Sequence, residues 1–84
     1  MHADNLVRMA NRIGQFFEAM PDRPEALEGI ALHIHRFWEP RMRRALRAHL
    51  ADEAALAEHP VAPIVREALS THPHVLESAT ASAG

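Results

Sequence analysis

The chain has 84 residues, 48% hydrophobic and 24% charged, with a formal net charge of −2 and no cysteine. That balance fits one small globular domain. It excludes disulfides and thiolate metal ligands, and it does not favour a general nucleic-acid binder, whose affinity would come from neutralising phosphates, although a local patch could still bind. A core this small supplies about 3–5 kcal/mol, so support from a protein partner is expected. No apolar run nears the ~20 residues of a membrane span, and the amino terminus is not basic-then-apolar. With the missing cysteines, this gives a cytoplasmic expectation.

Helical spacing dominates, whereas no tyrosine and no Asn-Gly or Asp-Gly hairpin turn is present. Residues 4–19, DNLVRMANRIGQFFEA, place Leu6, Met9, Ala10, Ile13, Phe16 and Phe17 within an arc of roughly 120°. Asp4 can cap this helix, and Met20-Pro21 ends it, because the residue before proline is pushed out of the α region. Gly14 lies beside the stripe and costs about 1 kcal/mol against alanine, which points to a close helix approach there. The second helix, 22–38, starts at DRPE. Asp22 is the N-cap, Pro24 suits a first turn and Glu25 is a capping-box partner. Its stripe is Leu27, Ile30, Ala31, Ile34, Phe37 and Trp38. Two such stripes joined by a short turn should pack as an antiparallel hairpin.

Pro40 opens a third helix, about 40–51, since proline is tolerated at a first helical position and disruptive inside a helix. Met42, Ala45, Leu46, His49 and Leu50 share one side, and Arg43, Arg44 and Arg47 an adjacent arc. ADEAALAEH either prolongs this helix or turns separately, and HPVAP is a proline-punctuated break. PIVREAL, 63–69, makes a short amphipathic helix. Residues 70–84 are mostly small and polar, as expected of a flexible tail. The expected fold is all-α, a small bundle of three main helices plus a short C-terminal helix, with one domain over 1–69 and a disordered tail over 70–84.

Little in this chain points to chemistry of its own. His33 and His35 sit on a helix about 200° apart and cannot share one ion, and His72 and His74 have no third ligand nearby. His49 on an apolar face reads as a satisfied core histidine. Ser70, Ser78 and Ser82 fall in the loose tail, where nothing holds a nucleophile beside its base. Glu25 and Glu28 read as a solvated acidic face, and the three glycines form no phosphate loop. No catalytic, cofactor-binding or metal residue is therefore assigned.

The informative stretch is HIHRFWEPRMRRALR, 33–47. Phe37 and Trp38 finish a helix, Pro40 fixes a corner, and Arg41, Arg43, Arg44 and Arg47 follow. A basic helix after a turn is what a helix-turn-helix protein offers, so a small nucleic-acid binder is one reading. The proline-led turn, the absence of Asn or Gln to read adenine and the negative net charge weigh against it. A solvated basic face is another. Docking on a protein is favoured, because tryptophan and arginine dominate interfaces and guanidinium forks pair with carboxylates. The expected partner-binding residues are Phe37, Trp38, Pro40, Arg41, Arg43, Arg44 and Arg47. Trp38 is shared between core and corner, and the arginines project outward.

MANRIGQFF (9–17), MPDRPEALEGIALHIHRFW (20–38) and EPRMRRALRAHL (39–50) together resemble the delta subunit of the cytoplasmic NAD-dependent formate dehydrogenases. The specific part is FW-[D/E]-PRMR, here Phe37 to Arg43, and PIVREAL is similar to the segment that closes the family's pattern. The likeness spans roughly residues 5–69. Family members often carry a glycine-rich turn where this chain has ADEAALAEHP, which leaves the conformation of 51–62 open. The resemblance implies a non-catalytic accessory subunit that binds no redox cofactor. It would dock on a large alpha subunit and support assembly, cofactor loading or stability, either as a permanent subunit or as a maturation factor that leaves. The implied cofactors belong to the partners: a molybdopterin centre with Mo or W and iron–sulfur clusters on the alpha subunit, and FMN and further clusters on the beta and gamma subunits.

Overall fold

The computed structural model describes residues 3–76. Five helices run in chain order: α1 Ala3–Glu18, α2 Arg23–Phe37, α3 Pro40–Leu50, α4 Glu53–Glu58 and α5 Pro63–Thr71, followed by a 3-10 turn, Pro73–Leu76. No strand occurs among the described residues. The all-α expectation therefore holds. Residues 51–62 form a capped break and a short separate helix, not an extension of α3.

The helix ends follow local chemistry. Asp22 has extended backbone and accepts a hydrogen bond from the Glu25 N–H at 3.2 Å, which satisfies one orphan donor of α2. Asp52 does the same for α4, accepting from the N–H groups of Ala54 and Ala55 at 3.0 and 3.1 Å. Pro40 and Pro63 occupy first turns, where a missing N–H is harmless. α1 starts at Ala3, so Asp4 lies within the first turn, its carboxylate favourable to the helix dipole, and does not precede the helix as a cap.

α1 and α2 form the expected antiparallel hairpin, and α5 packs against both. Ala10, Ile30, Ile34, Leu46, Val65 and Ala68 are fully buried at the centre. Gly14 explains the close approach of α5. A Cβ built there would stand 2.5 Å from Val65 Cγ2 and 3.1 Å from Ile64 Cγ2. Asn11 fixes the loop before α5 from both sides. Its Nδ2 donates to the Pro60 carbonyl at 3.1 Å, and its Oδ1 accepts from the Ala62 N–H at 2.8 Å.

Two expectations need correction. The buried edges of the hairpin are shifted: Val7, Gly14 and Ala26 are buried, while Met9, Phe16 and Phe37 are 44%, 73% and 69% exposed. α5 covers one edge of each apolar arc and leaves the other uncovered. The domain boundary also moves. α5 continues to Thr71, and Val75 and Leu76 enter the core at 3% and 6% exposure, so 70–76 belongs to the domain. The rest of the expected tail, 77–84, lies outside the described residues.

Candidate functional site

The site is the corner between α2 and α3. α2 closes with the Trp38 N–H bonded to the Ile34 carbonyl at 3.0 Å. Trp38 and Glu39 both have extended backbone, with ψ of 138° and 153°, and at Glu39 this is what the residue before a proline requires. From Pro40 the chain is helical again. The Glu39 carbonyl accepts from the N–H groups of Met42 and Arg43 at 2.9 and 3.1 Å. The turn is thus two residues long, with fixed backbone on both sides.

Arg43 holds the corner shut. Sequence reasoning placed it outward with the other arginines, but it is 5% exposed and turned inward. Its Nη1 donates to the His35 carbonyl at 2.7 Å and to the Trp38 carbonyl at 3.4 Å. Both are final-turn carbonyls of α2 that have no partner within the helix. A cation at the negative end of the α2 dipole adds a favourable charge interaction. The Arg43 Nε is buried without a partner. The signal was available in the spacing: Arg43 is three residues before Leu46 and seven before Leu50, on the apolar side of α3.

The other expected site residues divide into inside and outside. Trp38 is 5% exposed, a core residue at the corner. Phe37 stands outside, its ring 4.8 Å from that of His33. Pro40, Arg41, Arg44 and Arg47 are exposed. Arg41, Arg44 and Arg47 recur every third residue and form one ridge along α3. Arg41 makes a long pairing with Glu39 at 3.8 Å, both side chains being largely solvated. Arg44 and Arg47 have no ion pair among the described residues. The corner therefore presents one aromatic ring and three arginines on a rigid base.

The remaining sites are structural. His49 is buried and donates from Nε2 to the His59 carbonyl at 2.9 Å, which satisfies it and ties α3 to the end of α4. A cleft of about 770 Å³ opens at the start of α2 between Pro24, Leu27, Glu28, Thr71 and His72. It is crossed by the Arg23–Glu67 ion pair, in which the Arg23 Nε donates at 3.0 Å. The Glu67 hydrogen bond, then its charge, raises the Arg23 pKa above its ordinary value. Among the described residues no three His, Asp or Glu side chains converge to hold a metal ion, and no helix is long and apolar enough to cross a membrane.

Fold and corner define a class: a small all-helical domain with a rigid, basic, aromatic-tipped corner. Comparison with known families assigns it further. The model of FdsD, the NADH-dependant formate dehydrogenase delta subunit, matches residues 5–69, most of the chain. The chain belongs to this family of formate dehydrogenase subunits. Comparison with curated proteins and with solved structures gave no match.

Proposed function

We propose that this chain is a non-catalytic delta subunit that docks on the large alpha subunit of an NAD-dependent formate dehydrogenase through the α2–α3 corner. It supports the assembly, cofactor loading or stability of that complex. The observation that carries the reading is the inward turn of Arg43. It locks the corner and leaves Phe37, Arg41, Arg44 and Arg47 outside, together, on a base that loses little entropy when bound.

The chain's donor set supports a role without a redox cofactor. It has no cysteine for an iron–sulfur cluster. The molybdopterin centre with Mo or W, the clusters and the FMN then reside on the alpha, beta and gamma subunits. The arginine ridge could accept phosphates, but a net charge of −2 and the family membership favour acidic protein groups over a duplex.

The test is co-purification with a tagged alpha subunit. Replacing Arg41 and Arg44 together by glutamate should cut the retained chain at least ~10-fold, because it sets like charges against the acidic groups of the partner. Circular dichroism of the isolated variant should stay helical, since both side chains are solvated. Undiminished retention of the double variant would count against the corner as the docking site.

A further inference from the structure

The outer face of the α1–α2 hairpin carries an uncovered apolar stripe. Phe16 packs edge-on against Phe17, with ring centroids 5.1 Å apart. The Phe17 ring lies over Gly29 of α2, where a Cβ would meet its Cε1 at 2.5 Å. His33 is one turn beyond Gly29 on the same side, and its ring packs against Phe37. Met9 and Ile13 precede Phe17 at four-residue steps on α1. The result is one run from Phe16 across the hairpin to Phe37, the tip of the corner.

Phe16 and Phe37 alone leave on the order of 300 Å² of apolar surface uncovered at their exposures of 73% and 69%. The largest apolar patch of a monomeric domain is about 300–600 Å² and is often where a partner binds. Two arginines flank the stripe, and Glu25 lies one turn before Gly29 at its other end. Arg12 is one turn from both Met9 and Phe16, Arg36 is one turn from His33, and both are exposed with no ion pair among the described residues. The complement of an apolar centre flanked by two unpaired arginines is an apolar recess with carboxylates opposite them.

We infer that this hairpin face is a docking surface for a protein partner offering an apolar recess with acidic side chains around it, continuous with the corner through Phe37. The inference rests on the docking reading above and extends it. A standard interface takes about 800 Å² per partner, and the stripe adds apolar area to what the corner offers. A second copy of this chain fits less well. Arg12 lies level with Ile13, mid-stripe, so two-fold pairing about that point brings arginine towards arginine near its axis.

The test again uses a tagged alpha subunit expressed with the full chain. Phe16→Glu should lower the retained chain more than ~10-fold, because it removes an exposed aromatic anchor and puts a carboxylate against an acidic partner. Gln15→Glu adds the same charge off the stripe and should leave retention unchanged. Both variants should keep the helical content and thermal midpoint of the parent, because Phe16 and Gln15 are exposed. If the parent chain is itself not retained, the docking reading fails and takes this inference with it. If the parent and Phe16→Glu are retained equally, the stripe is overturned and the corner stands. The stripe is overturned too if light scattering shows a dimer that Phe16→Glu converts to monomer while retention holds, for then the face pairs copies of this chain.

Discussion

The two sides of the α1–α2 hairpin are built from similar residues and meet different ends. On the covered side, Ala10, Gly14, Ile30 and Ile34 are buried, and Gly14 admits Val65 and Ile64 of α5 to contact. On the open side, Gly29 admits only the ring of Phe17 from within the hairpin, and Met9, Phe16 and Phe37 face solvent. Hydrophobicity does not separate the two. The difference is whether a later segment of the chain returns to cover them. The corner repeats the contrast with charge, since Arg43 and its neighbour Arg44 are identical side chains on opposite sides of that divide.

The sharpest way to break this contrast is at the corner. Arg43→Ala strands two helix-end carbonyls in a buried site and should cost about 2–3 kcal/mol, a large share of what so small a domain has. Arg44→Ala should stay within about 0.5 kcal/mol. Urea denaturation of the two variants checks this, and equal midpoints would mean that Arg43 does not hold the corner. Next in size is Gly14→Ala. The methyl gains about 1 kcal/mol of helix propensity but drives into the fully buried Val65, an overpacking of about 1–3 kcal/mol, so a net loss near 1 kcal/mol is expected. Smallest is Gly29→Ala. Here the clash is with the ring edge of the partly buried Phe17, which can turn about its side-chain bonds, and the propensity gain should leave thermal stability within about 0.5 kcal/mol of the parent. If both glycine variants lose equally, the open side is as tightly packed as the covered one.

Much of this was legible in the sequence, and what was missed has physical causes. Pro40, Pro63 and the DRPE start mark true helix ends because proline and N-caps act locally. Gly14 marks a true helix contact because glycine inside a helix is costly without one. The 120° stripes were also real, but a stripe does not say which of its edges another helix will cover. Met9 and Phe16 therefore belong to the α1 stripe and yet stand exposed. Arg43 was grouped by charge with its neighbours, although its spacing from Leu46 and Leu50 put it on the buried side. Val75 and Leu76 were missed because a short apolar pair vanishes in the average of the polar segment around it.

The clasp of Asn11 on the loop before α5, and the burial of Val65 beneath it, bear on the order of events during synthesis. α1 and α2 leave the ribosome with their covered face still bare, since the helix that seals it spans Pro63–Thr71. At roughly 5–20 residues per second, the interval from the end of α2 to Leu76 is on the order of 2–8 s. For that time the nascent hairpin shows apolar surface on both sides, and only one of them will be closed by its own chain.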